Sequence, residues 1–204
     1  QDSKLNFYTK AFYKDILRKD IAHSVRDEEG KALLDSVGGV HVINTGCPTL
    51  WGLTPEKCGS IPITKGKNAI LTVSGQKKYR NPELDQILIN TVEKNYDKIY
   101  LWIQTFEDKG YFESLKHAKE IQYIYSLKQY ADICDNGEVD YVGTRLHGGI
   151  FAMQHGVRGF REINHINTIE RKKIEQLDDY INSNITTEVY LRDKDIKEWL
   201  GQFF

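Results

Sequence analysis

The sequence predicts an α/β fold, a Rossmann-like parallel sheet flanked by helices, and three observations carry that expectation. Short β-branched and apolar runs alternate with segments of helical apolar spacing along most of the chain. Strands interleaved with helices in this way close into parallel sheets rather than hairpins. At 204 residues, the chain is also long enough to bury a sizeable core in one large domain, or in one domain plus pieces of another.

The elements follow in order. Leu5, Tyr8, Phe12, Ile16 and Leu17 recur at helical spacing, so an amphipathic helix from Lys4 to Leu17 opens the chain and is expected to pack on something. Ile21 to Val25 reads as a short strand. Asp27, Glu28 and Glu29 place acids in the first turn of a helix that runs to about Ser36 and ends at Gly38 and Gly39. Val40 to Ile43 is the next strand. Asn44 to Lys67 is rich in Pro, Gly, Thr and Cys without a clear period, and irregular segments of that length are more often functional than filler. The alternation then becomes regular: strand Ala69 to Val73, helix Pro82 to Asn95 with Pro in its first turn, strand Lys98 to Gln104, helix near Asp108 to Lys116. Strand Ile121 to Tyr125, helix Leu127 to Cys134, strand Val139 to Val142 and helix Arg145 to Gln154 continue it. Arg158 to Ile163 makes a poor core strand, and helices near Thr168 to Ile181 and Lys194 to Phe203 close the chain. The expected organisation is a linking helix over 1–20, a Rossmann-like domain over 21–165 and C-terminal helices over 166–204.

Composition narrows the function. Hydrophobic residues make up 40% and charged residues 28% of the chain, as in ordinary soluble globular proteins, so disorder is not the default. The formal net charge is -1 with both signs interspersed, which removes the global positive field that nucleic-acid binders use. Any bound anion must be held locally. Three cysteines, Cys47, Cys58 and Cys134, lack the density of a disulfide framework and favour a reducing, cytoplasmic setting. No stretch approaches the roughly 20 apolar residues needed to cross a bilayer. The chain opens on Gln1 with Met153 as its only methionine, and we read it as a piece of a longer protein.

Open parallel sheets bind ligands beyond the carboxyl ends of their strands, so the loops after strands are the places to search. The richest is Val139 to Gly156, where a strand runs through Gly143 and Thr144 into Arg145, Leu146 and His147 at a helix start. Such a start attracts anions through its free backbone N–H groups and the macrodipole. Gly148 and Gly149 let another backbone or a ligand come close. In isolation an Arg-x-His pair reads more readily as a surface ion pair and a satisfied histidine; its position after a sheet strand brings the functional reading level. A second candidate is Ser24-Val25-Arg26-Asp27, whose bland reading is an Arg26 pairing with Asp27 or Glu29. Lys77, Lys78 and Arg80, after the strand Ala69 to Val73, form a third basic cluster that reads first as a solvated loop. The cysteine spacing fits no zinc ribbon and the histidines are scattered, so neither a metal site nor another cofactor is expected. No nucleophile elbow, Walker loop or dinucleotide fingerprint is present.

VGTRLHGGIFAMQHGVR resembles the Arg-Leu-His signature region of polysaccharide pyruvyl transferases, and HSVRDEEGKALLDSVG resembles the Ser-x-Arg-Asp segment upstream in that family. Two matches in the right order are far more specific than one. NTGCPTLWGL and VSGQKKYRNPEL look similar to further segments, so the resemblance covers about His23 to Arg158. It implies the C-terminal half of a two-Rossmann-domain (GT-B-type) transferase, working in exopolysaccharide or cell-envelope synthesis. The implied reaction moves the enolpyruvyl carbons of phosphoenolpyruvate onto two sugar hydroxyls, giving a pyruvate ketal and phosphate. The partners implied are phosphoenolpyruvate and a sugar or lipid-linked glycan. By the same resemblance Arg145, Leu146 and Arg26 bind the donor and His147 is the general acid. Family members carry an apolar strand after Gly156-Val157, where this chain has the more polar RGFREINHIN.

The residue types suit that chemistry independently. Two guanidinium forks can each grip one anionic end of phosphoenolpyruvate, and imidazolium is the most available acid near neutral pH. A small anion gripped at both ends requires its cations and its acid to share one pocket, so Arg26 and His147 are expected to follow strands of one sheet, with the guanidinium within about 10 Å of the imidazole. The rival readings are a glycosyltransferase domain binding a sugar nucleotide, and a non-catalytic scaffold of the same fold.

Overall fold

A computed structural model describes residues 5–161, 174–189 and 191–203. It divides into two compact units, residues 1–51 with 189–204, and residues 52–188. The division falls inside the segment 21–165 that the alternation suggested as one domain.

The first unit holds α1 (Phe7–Ile16), β1 (Ala22–Val25), α2 (Glu28–Asp35), β2 (His41–Asn44) and a last helix, Asp193–Leu200. Asn6 caps α1 by accepting from the Thr9 N–H at 2.8 Å, and Asp27 caps α2 by accepting from the Gly30 N–H at 2.7 Å. β1 and β2 pair in parallel, Ala22 opposite His41 through Val25 opposite Asn44. The last helix is tied to this pair: the Trp199 indole donates to the Ala22 carbonyl at 3.0 Å and its ring lies 5.9 Å from that of Trp51. Arg192 donates to the Asn44 carbonyl and pairs with Glu28. The expectation that α1 packs on something is not met among the described residues. None of its residues is buried, and Phe7 and Tyr8 are 79% and 83% exposed.

The second unit carries a five-stranded parallel sheet in the order β5-β4-β3-β6-β7, with β3 at Asn68–Thr72, β4 at Ile99–Trp102, β5 at Ile121–Ile124, β6 at Val139–Gly143 and β7 at Gly159–Arg161. This is the doubly wound order, in which the chain works outward from β3 through β4 to β5 and then crosses to β6 and β7 on the other side. The reversal falls between β3 and β6. Helices α4 (Pro82–Asn95) and α5 (Phe106–Glu113) lie on one face. There Leu84, Leu88 and Phe112 join Leu71 and Leu101 in one buried cluster, with the helix Leu177–Asn182 closing it through Leu177 and Ile181. Helices α6 (Leu127–Asn136) and α7 (Leu146–Gln154) lie on the other, where Tyr130, Cys134 and Ala152 join Ile70, Trp102 and Tyr141. β3, β4, β5 and β6 thus send alternate side chains into the two cores, as the two-residue period requires.

The irregular segment after β2 contains a 3-10 turn, Pro48–Leu50, and the short α3, Pro55–Gly59, capped by Thr54. Leu53 and Ile61 are buried at 0% and 3% exposure, so much of this segment is packed structure.

Within Arg158 to Ile163, read as a poor core strand, the described residues contribute an edge strand: β7 pairs in parallel with β6 at the sheet edge, where only one side needs partners. Arg158, just before it, is 2% exposed. Burial of its charge is offset by Asp140, reached by Nη2 at 2.6 Å and by Nε at 3.2 Å. The remaining N–H groups donate to the carbonyls of Ile63, Ile181 and Ser183, and Tyr96 donates to the same carboxylate. A buried guanidinium is tolerable on those terms. The helix expected near Thr168 to Ile181 lies partly outside the described residues.

The three cysteines differ in access. Cys58 and Cys134 are buried and Cys47 is half-buried, and burial pushes the Cys134 thiol up to about 12. Only the thiolate alkylates, so iodoacetamide at pH 8 is expected to label Cys47 first in the folded chain and all three after unfolding. Rapid labelling of Cys134 in the folded protein, read by peptide mass, would contradict this packing of α6.

Candidate active site

The reversal of strand order falls between β3 and β6, and the carboxyl ends of the strands at such a reversal are the place where a doubly wound sheet takes its ligand. Arg145 sits there, in extended conformation as the cap residue of α7, followed by Leu146 and His147, both exposed. Side chains from the neighbouring strands fix this entry. The Thr72 hydroxyl and the Tyr141 phenol are 2.6 Å apart, the phenol donates to the Arg145 carbonyl at 2.5 Å, and the Arg145 N–H donates to Thr72 Oγ1 at 3.3 Å. The first turn of α7 is therefore held before any ligand arrives. Gly148 and Gly149 serve the same packing: a Cβ on Gly149 would stand 2.9 Å from the Tyr141 ring, and one on Gly148 3.0 Å from its oxygen. Tyr141, not a ligand, is what these glycines let approach.

Arg145 is anchored by Asp108, which the sequence did not single out. Asp108 is 1% exposed and gathers three loops. It accepts from the Gly75 N–H after β3 at 2.8 Å, from the Gln104 and Thr105 N–H groups after β4 at 3.1 and 2.8 Å, and from the Thr105 hydroxyl at 2.8 Å. Arg145 Nη2 reaches the same carboxylate at 2.5 Å and Thr105 Oγ1 at 3.3 Å. The Arg145 side chain is only 17% exposed, so the pair is short, largely desolvated and geometrically defined. Thr105 and Asp108 form a capping box on α5, a pattern readable as Thr-x-x-Asp. Its use as an anchor for a residue 37 positions away is invisible in a linear sequence.

Among the described residues, three buried side-chain atoms have no hydrogen-bond partner: Ser74 Oγ, Thr144 Oγ1 and Arg145 Nε. All three belong to the loops that leave β3 and β6. An unsatisfied buried donor costs about 1–3 kcal/mol, and native structures hold few of them. Their concentration at the strand-order reversal marks a place where polar groups are kept short of partners.

The third basic cluster lies at this same edge. Lys77 and Lys78 fall in a 3-10 turn, Lys77–Tyr79, after β3, and Arg80 Nε donates to the Gly75 carbonyl at 2.6 Å. Its guanidinium stacks 4.8 Å from the Tyr111 ring centre. Burial, with Asp85 beside it, raises the Tyr111 phenol above its ordinary value, so that ring stays neutral. Gly75 thus joins Arg80, through its carbonyl, to the Asp108 cluster that accepts its N–H. A Cβ there would fall 2.4 Å from the Glu107 carbonyl, and only glycine fits.

The placement expected for Arg26 requires a correction. Among the described residues it follows β1, which pairs with β2 in a two-stranded sheet, whereas His147 follows β6 of the five-stranded sheet. The expected placement of both at one sheet edge is therefore not met. The strand-helix alternation runs unbroken through both units, and alternation does not reveal where one sheet stops and another begins. Locally Arg26 is 64% exposed and its Nε lies 3.4 Å from Asp27 Oδ2, the surface pairing weighed for it.

Among the described residues, no group of three or more His, Cys, Asp or Glu side chains could hold a metal ion, and no helix is long and apolar enough to cross a membrane. Compared with families of known proteins, residues 3–161 match a family model described as Polysaccharide pyruvyl transferase. No curated protein matches the chain.

Proposed function

The chain belongs to the polysaccharide pyruvyl transferase family, and from that premise we propose that it transfers the enolpyruvyl carbons of phosphoenolpyruvate to a glycan diol, with its donor site around Arg145 and His147. The observation that carries this reading is the Arg145 guanidinium, clamped by buried Asp108 at the carboxyl edge where the strand order reverses. A fixed, largely desolvated guanidinium at a helix start suits a small dianion. Ser74 and Thr144, with hydroxyls lacking partners, supply further donors once the anion draws the loops in. Leu146, exposed at the first position of α7, offers an apolar contact to the methylene end.

The proposed chemistry balances in two additions. One sugar hydroxyl bonds to the enol carbon while His147, as imidazolium, gives its proton to the methylene carbon and makes it a methyl group, and the hydroxyl's own proton passes to water. The bond from the former enol carbon to the phosphate oxygen then breaks, inorganic phosphate leaves with the electron pair, and the second hydroxyl bonds to the same carbon and closes the ketal, its proton passing to the departing phosphate. Two cations suit a donor with two anionic ends. The resemblance assigns the second grip to Arg26; Arg80, stacked on Tyr111 and hydrogen-bonded to Gly75, is the other candidate. We take the five-stranded unit as the C-terminal half of a GT-B-type arrangement.

Calorimetry with phosphoenolpyruvate on the wild type and on Arg145→Met, Arg80→Met and Arg26→Met tests the reading. Loss of one charge-assisted grip is expected to weaken binding about tenfold to a hundredfold for Arg145, and similarly for whichever of the other two holds the second end. Equal affinity in wild type and Arg145→Met, or binding of nucleotide sugars in preference to phosphoenolpyruvate, would overturn it.

A further inference from the structure

Large apolar side chains are exposed at one edge of the five-stranded unit in a way its folding does not require. Phe106 is 96% exposed, Tyr125 59% and Leu127 57%. Phe106 opens α5 after β4, while Tyr125 and Leu127 bracket the start of α6 after β5. All three stand at the carboxyl ends of neighbouring strands, on the edge that bears Arg145. Exposed apolar groups concentrated on one side of a binding site are a recognition signal rather than an accident of composition.

Two links tie this edge together and to the candidate site. Phe106 follows Thr105, whose hydroxyl lies 3.3 Å from Arg145 Nη2, and consecutive Cα atoms are about 3.8 Å apart. Phe106 and Lys109, three positions apart, share a face of α5. Lys109 reaches across to β5: its ammonium lies 4.9 Å from the Tyr123 ring centre and interacts with the Tyr125 phenol, which helps to raise its pKa. The Tyr123 and Tyr125 rings stack at 6.2 Å. Glu113, 3.7 Å from Lys109 and 3.3 Å from the Tyr123 phenol, completes a set of aromatic faces rimmed by charges.

The geometry points to this platform as the acceptor subsite, with Phe106 and Tyr125 stacking on the C–H faces of pyranose rings and Lys109 and Glu113 bonding their rim hydroxyls. This assignment rests on the proposed transferase reading, which requires a sugar beside the donor. Its chemistry suits a sugar, because a pyranose presents an apolar face and a polar rim together, matching aromatic rings with a charged side chain of each sign beside them. The capping box of Thr105 and Asp108 holds the backbone at the base of Phe106, so binding has only the side-chain rotamers of the ring left to order.

The test uses the full chain on an array of hexopyranose and N-acetylhexosamine oligosaccharides, with phosphoenolpyruvate affinity measured separately on every variant. The wild type is expected to bind at least one glycan. Phe106→Ala with Tyr125→Ala should weaken that binding about tenfold or more, Phe106→Trp should retain it, and donor affinity should stay unchanged in all three. Glycan binding that survives the double substitution overturns the platform, as does failure of the wild type to bind any glycan. Dissociation of an oligomer on Phe106→Ala would also overturn it, by showing a protein contact. Failure of donor binding with the platform intact would count against the transferase reading alone.

Discussion

Replacing His147 with alanine is expected to lower ketal formation about 10²–10⁴-fold, the usual contribution of a positioned general acid, while leaving phosphoenolpyruvate affinity nearly unchanged. The separation follows from where the residue stands. His147 is exposed on the first turn of α7, so its loss leaves no cavity and removes no partner of Asp108. Arg145 remains clamped, its carbonyl still bound by Tyr141, and the grip on the donor persists. What disappears is a proton source that acts only as the methylene carbon becomes a methyl group, and an interaction confined to the transition state appears in kcat rather than in binding. Single-turnover phosphate release, read beside calorimetry of donor binding, checks this. Turnover near that of the wild type would remove His147 from the mechanism; a parallel loss of donor affinity would recast it as a binding residue.

The chain announces its strands and helices well because both signals are local. Pro82 in the first turn of α4, the acids after Asp27 and the apolar run before Arg145 each act within a few residues, and the structure puts elements at those places. Arg145 and His147 stood out as candidates for the same reason, since they lie where a strand passes into a helix. Asp108 did not. Its capping role is local and visible, but its pairing with Arg145 depends on β4 and β6 flanking β3, a long-range outcome. The shared sheet expected for Arg26 failed in the opposite direction: its local pattern matches that of Arg145, yet β1 pairs into another sheet. Arg158 looked too polar for a core only because Asp140, Ile181 and Ser183, which accept its N–H groups, are distant in sequence.

Asp108 therefore makes the sharpest test of how fold and site are joined. In Asp108→Ala the backbone N–H groups of Gly75, Gln104 and Thr105 lose their acceptor, and Arg145, 17% exposed, keeps a charge with no counterion. Removing one partner of a buried pair typically destabilises by about 3–5 kcal/mol, a large part of the roughly 5–15 kcal/mol that holds a domain together. For a chain of this size that corresponds to a fall in Tm of about 10 °C. Asp108→Asn keeps an acceptor oxygen for the backbone but turns an amide toward the arginine, so a smaller loss of stability is expected alongside a loss of donor affinity no larger than that of Arg145→Met, because the guanidinium is no longer aimed. Adding Arg145→Met to Asp108→Asn removes the unpaired charge and should recover stability without recovering binding. Thermal melts of the three variants, each paired with phosphoenolpyruvate calorimetry, read the two effects apart. An Asp108→Ala protein that melts with the wild type, or a double variant no more stable than Asp108→Asn, would show that the carboxylate neither joins the three loops nor holds Arg145.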